Sequence, residues 1–167
     1  MAAREVVRTA LLSVVLLVVQ VVLAPLPNIE LVSVLIIVYA VQFGRRALYA
    51  VYVFVLLQGL IYGFGIWWVS YLYVWLVLFT AAYLFRKNDS LLFWAFINGA
   101  FGLSFGALTA IPYFFAGGFG MGISYMMAGI PFDIFHCIGN FVSALLLYIP
   151  LKKLFKRWVD DFEARQE

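Results

Sequence analysis

The chain has 167 residues, of which 66% are hydrophobic and only 11% charged, with a mean hydropathy of +1.06. Soluble domains carry charge on about a quarter of their residues, so this composition excludes a soluble globular domain and points to an all-α integral membrane protein. The net charge of +3 says less than its placement, and a single cysteine excludes an internal disulfide and argues against a structural zinc site, which needs about four ligands.

A helix needs about 20 mostly apolar residues to cross the bilayer core. Six segments approach or exceed that length, at about 7–24, 30–43, 47–62, 66–85, 91–115 and 123–151, in one membrane domain covering 1–167. "PLPN" ends the first, because its prolines cannot continue a helix. "GRR" separates the second from the third, "GFG" the third from the fourth, "RKNDS" the fourth from the fifth, and "AGGFGMG" the fifth from the sixth. Residues 152–167 form a tail of mixed charge. Arg4 and Arg8 ahead of an apolar run ending at Ala24 mimic a secretory signal peptide, but Pro25 directly after that alanine blocks cleavage. The first span is therefore expected to be retained.

All eleven Lys and Arg fall in four places: Arg4 and Arg8, Arg45 and Arg46, Arg86 and Lys87, and the tail from Lys152 onward. With six spans these places share one side of the membrane, and the other three connections carry no Lys or Arg. The positive-inside rule then predicts both termini in the cytoplasm. An odd number of spans would break the partition.

The outer connections "PLPNIE", "YGFGIWW" and "IPYFFAGGFGMGIS" are aromatic and glycine-rich, with Glu30 their only charge. Aromatic residues at that depth also serve as an interfacial belt. Trp68, Tyr71, Trp75 and Phe79, however, recur at three- and four-residue steps and line one face of the fourth helix, deeper than a belt requires. In the fifth segment Asn98, Gly102, Gly106 and Ala110 repeat every four residues, beside Ala95 and Gly99, a pattern that lets another helix backbone come close. The Asn98 amide needs a partner in hydrocarbon.

Residues 130–140, "IPFDIFHCIGN", hold the only histidine and the only cysteine. Asp133, His136 and Asn140 share one stripe of the sixth helix. Ionisable residues inside a membrane are costly and face a bundle interior or a wet cavity. Two readings stand: a bond between Asp133 and His136 that ties helices together, or contact with a ligand. Cys137 points off the stripe, as a small buried hydrophobe or a reactive thiol.

The six short spans, "PNIELVSVLIIVYAVQFGRR" at 27–46 and "GIPFDIFHCIGNFVSALLLYIPLKK" at 129–153 resemble the substrate-binding S components of energy-coupling factor (ECF) vitamin transporters. The resemblance covers nearly the whole chain. It implies a six-helix bundle, N-in and C-in, that captures a vitamin or related micronutrient at its outer side. It also implies partners: a transmembrane coupling protein and two ATPases. The chain has no Gly-rich loop followed by Lys and Ser or Thr, so the energy is expected from those partners, with no enzymatic role and no cofactor for the chain itself. Carried onto this sequence, the pocket draws on Asn28, Glu30, Trp67, Trp68, Tyr71, Asn98, Tyr113, Asp133, His136 and Asn140. Docking in the family uses small residues four apart on the first helix. Here Ala10 is followed by Val14, and Thr9 with Ser13 makes the nearest small pair. Cobalamin, pantothenate, a thiamine precursor, folate or riboflavin would each suit an aromatic pocket with a few polar anchors.

Two other functions compete. A stand-alone secondary transporter would relay protons through Asp133 and His136, but such carriers often show an internal repeat, and none is visible between 1–85 and 86–167. An intramembrane enzyme would use His136 as base or Cys137 as nucleophile, yet neighbours on a helix point about 100° apart.

Overall fold

A computed structural model describes residues 3–26 and 28–164, and among them the protein is all-helical. Its helices are α1 (Ala3–Leu23), α2 (Val32–Phe43), α3 (Ala47–Tyr62), α4 (Ile66–Leu84) and α5 (Leu91–Ala164), with a short 3-10 turn at Gly44–Arg46 joining α2 to α3. Four helical stretches are long and apolar enough to cross a membrane: Ala3–Leu23, Val32–Tyr62, Ile66–Leu84 and Leu91–Asp160.

The expectation of six separate helices is not matched as a count, because the expected fifth and sixth spans follow each other within α5 with no loop between them: two helical arms meet at a kink where only Gly117 and Gly118 leave helical geometry within "AGGFGMG". Gly118 holds φ at 76°, a left-handed value that glycine adopts without a steric penalty. The arms double back on each other. Gly99 lies against Cys137 and Phe141, Gly102 against His136, and Gly106 against Asp133, while Tyr113 stacks on Tyr125 at 4.0 Å. The pairs run in opposite directions along the two arms, as in an αα-hairpin. The glycine repeat at 98–110 thus performs the close packing its spacing implied: a Cβ on Gly102 would stand 2.7 Å from the His136 carbonyl oxygen.

The expected tail is also helical through Ala164, and Phe155 is buried. Phe155 and Trp158 pack edge-on with Tyr39 and Phe43 at the end of α2.

The core is built around α2, whose residues Val32 to Ala40 are all buried. A helix that is apolar on every side belongs in the middle of a bundle, and α2 packs against α1, α3, α4 and α5. The outer helices show the opposite polarity to a water-soluble bundle. Val7, Leu11, Val14, Val18 and Val22 form an exposed stripe on α1, and Phe96, Leu103, Phe135, Ile138 and Leu146 are exposed on α5. Apolar surface this continuous calls for a lipid surround rather than water.

The basic residues gather at one end. The Arg46 guanidinium meets Glu5 at 2.9 Å, the Arg45 and Arg86 guanidiniums lie over the Tyr83 ring, and the Lys152 ammonium donates to Asp89 at 2.7 Å. The start of α1, both turns at Gly44–Arg46 and 85–90, and the late part of α5 therefore share that end.

Candidate functional site

At the opposite end a cavity of about 480 Å³ opens between the α1–α2 connection, α4 and both arms of α5. Of the ten residues expected to form a pocket, Asn28, Glu30, Tyr71, Asp133 and His136 line it, and Trp67, Trp68, Asn98, Tyr113 and Asn140 do not.

Each lining residue is held by its own local chemistry. Asn28 takes φ of 61°, a left-handed value that asparagine tolerates better than most residues, and turns the chain toward α2. Glu30 accepts from the Ser33 backbone N–H at 2.8 Å and from the Ser33 hydroxyl, so it caps the first turn of α2, where a carboxylate is favoured by the helix dipole. His136 Nε2 approaches Glu30 Oε1 at 3.3 Å. A carboxylate already accepting two hydrogen bonds can only accept a third, which puts a proton on Nε2.

Asp133 and His136 do not bond to each other, contrary to the helix-tying pair considered from the sequence. Asp133 Oδ1 instead accepts from the Gly106 backbone N–H at 2.9 Å, across the hairpin. Its second oxygen, Oδ2, accepts no hydrogen bond among the described residues. Asp133 therefore reaches the other arm of α5, His136 reaches the α1–α2 connection, and both line the cavity.

Asn140 continues the stripe away from the cavity. Its Nδ2 donates to Ser33 Oγ at 3.4 Å, and its carbonyl oxygen accepts from Asn98 Nδ2 at 2.8 Å. Asn98, Asn140, Ser33, Glu30 and His136 form a polar thread that joins both arms of α5 to the start of α2. In a low-dielectric interior such a thread fixes helix register. For Asn98 and Asn140 the structure assigns this tying role in place of cavity lining.

The tryptophans are placed differently from expectation. The Trp68 indole N–H donates to the Val55 carbonyl at 2.8 Å and clamps α4 to α3. Trp67 sits edge-on to Tyr71 with ring centroids 5.2 Å apart. Tyr113 meets the cavity only through its stacking partner Tyr125. The lining residues that sequence reasoning left out are chiefly Gln20, Trp75, Phe105, Thr109, Tyr125 and Phe132. Trp75 was visible in principle, one turn below Tyr71 on the same face; its ring lies 5.4 Å from Tyr71 and 6.0 Å from Phe105. Phe105 carried no signal, since it is one of seventeen phenylalanines.

The α5 wall at 105–109 has an explanation in Pro112. Proline supplies no N–H for the carbonyl four residues earlier, and the freed Leu108 carbonyl accepts from Tyr73 OH at 2.6 Å. The Ser70 hydroxyl donates to the neighbouring Thr109 carbonyl at 3.2 Å. Two hydroxyls of α4 thereby hold the opened turn in place beside the cavity.

On α1, the small residues expected to dock a partner divide. Ser13 is buried and donates to the Ala50 carbonyl of α3 at 3.1 Å, Thr9 is half-buried, and Ala10 is exposed. Thr9 and Ser13 thus do not form an outward pair, because Ser13 is spent on packing α1 against α3. Cys137 is half-buried close to Gly99 and lies outside the cavity lining.

In comparisons with known proteins, the chain matches no protein-family model, no curated protein and no solved structure.

Proposed function

We propose that this chain is a membrane-embedded substrate-capture subunit, an S component of an ECF-type importer, which binds a vitamin or related micronutrient and hands it to an ATP-driven coupling module. The observation that carries the reading is the cavity. It lies at the end of the bundle away from the basic residues, it falls within the roughly 300–1,000 Å³ of small-molecule sites, and it pairs aromatic walls with a few polar anchors. In this reading α1 to α4 and the two arms of α5 make six crossings of a bacterial or archaeal cytoplasmic membrane. Both termini and the basic end face the cytoplasm, where Lys and Arg are retained, and the cavity faces outward. The short α2, at 12 residues, is tolerated because its neighbours shield it from lipid. Partner docking falls to the exposed face of α1 around Ala10 and Val14. The ATPases and the transmembrane coupling protein are separate chains.

The test is to purify the full chain in detergent, identify co-purifying small molecules by mass spectrometry, and measure melting temperature against a vitamin panel. A co-purifying micronutrient, or one that raises the melting temperature by several degrees, is expected. No co-purifying molecule and no shift with any compound would remove the proposal's support.

A further inference from the structure

The residues that line the cavity carry a one-sided chemistry. Glu30 and Asp133 supply two carboxylates, His136 is the only basic group, and neither Lys nor Arg appears among the described lining residues. Glu30 is already engaged by Ser33 and His136. Asp133 is different: it is only 8% exposed, its hydrogen bond comes from the neutral Gly106 N–H, and the His136 ring that also acts on it is already engaged by Glu30. A buried carboxylate without a counter-charge of its own is costly. Open space beside it, walled by Tyr71, Trp75, Phe105 and Tyr125, is where a counter-charge can enter. Aromatic faces attract cations and stack on flat rings.

The cavity therefore offers an anionic acceptor set among aromatic surface, to which Trp75 contributes its ring. An anionic ligand would face two carboxylates with no Lys or Arg to meet it, so the acids pantothenate and folate fit poorly.

We propose that the cavity takes a flat aromatic ligand carrying a positively charged amino group, with the ring between the aromatic walls and the cation against Asp133. The proposal rests on the small-molecule capture reading and narrows it to one charge class.

The experiment uses the full chain in detergent and a matched series of 4-aminopyrimidines bearing a 5-aminomethyl, 5-hydroxymethyl or 5-carboxyl group. These are a cation, a neutral molecule and an anion on one scaffold. Calorimetry and melting temperature should rank the amine first and the carboxylate last. Asp133→Asn keeps a carbonyl oxygen for the Gly106 N–H while removing the charge. It should weaken the amine by about 10- to 100-fold and leave the hydroxymethyl compound within about threefold. If the carboxylate or the neutral compound binds as well as the amine, or Asp133→Asn leaves amine affinity unchanged, the charge assignment is overturned while capture stands. A co-purified anion has the same consequence. If nothing in the series binds and nothing co-purifies, the capture reading and this inference fall together.

Discussion

Replacing Gly102 by alanine should destabilise the protein, although the same change in an unencumbered helix stabilises by up to about 1 kcal/mol. The added methyl would stand 2.7 Å from the His136 carbonyl oxygen and 2.9 Å from the Cys137 nitrogen, both backbone atoms that cannot rotate away. To reach an ordinary 3.4 Å contact the arms of α5 must part by about 0.7 Å at that level. One turn further along, the Gly106 N–H to Asp133 bond would stretch from 2.9 Å to roughly 3.6 Å, beyond hydrogen-bond range. Overpacking costs about 1–3 kcal/mol, and the lost bond to a charged acceptor adds to it. The net expectation is a loss of about 1–3 kcal/mol. Gly120→Ala is the control, because nothing lies within 4 Å of its Cβ position; it should be neutral or slightly stabilising. Unfolding in detergent, followed by tryptophan fluorescence, compares the two. Gly102→Ala as stable as Gly120→Ala would refute the close approach of the arms.

Tyr73→Phe leaves the Leu108 carbonyl that Pro112 frees without its 2.6 Å partner, and should cost about 1–3 kcal/mol in the same unfolding assay. Trp68→Phe removes the 2.8 Å bond to Val55 and should cost about 1 kcal/mol while leaving ligand affinity within about twofold, since Trp68 does not line the cavity. At the basic end, the Lys152 ammonium holds the Asp89 carboxyl below the usual carboxylate range. Its contribution is thus complete above the unfolded value of about 3.9 and is lost as pH falls through the lowered folded value. The melting-temperature gap between wild type and Asp89→Asn should be constant near neutral pH and close on strong acidification; a gap that widens there would contradict the pairing.

Most of the helix boundaries were legible because the breaks are chemical. Pro25 ends α1, "GRR" and "GFG" bracket α3, and "RKNDS" ends α4. The last break also falls within "AGGFGMG", but it is tighter than a loop: only Gly117 and Gly118 leave helical geometry, and the two arms fold back on each other about them. In an apolar setting a longer non-helical segment would leave more backbone groups unserved. Periodicity placed Asp133, His136 and Asn140 correctly on one stripe. It could not say which elements they reach, and each bonds to a residue distant in sequence: Gly106, Glu30 and Ser33. Composition likewise marked Trp68 and Asn98 as notable without revealing that the Trp68 indole N–H and the Asn98 amide N–H donate to the carbonyls of Val55 and Asn140.

The burial of α2 on every side sets an order for biogenesis. Glu30 and Ser33 at its start meet His136 and Asn140 only after 106 and 107 further residues have been made. At the roughly 5–20 residues per second of synthesis, that is an interval of about 5–20 s. During it the most apolar helix of the chain carries a carboxylate with no basic partner, and α2 lacks its final neighbour. The nascent bundle therefore stays open along one side until the returning arm of α5 is threaded in. Defects in the last third of the sequence should show themselves as misassembly of its first third, through degradation of a fully inserted but unsealed chain.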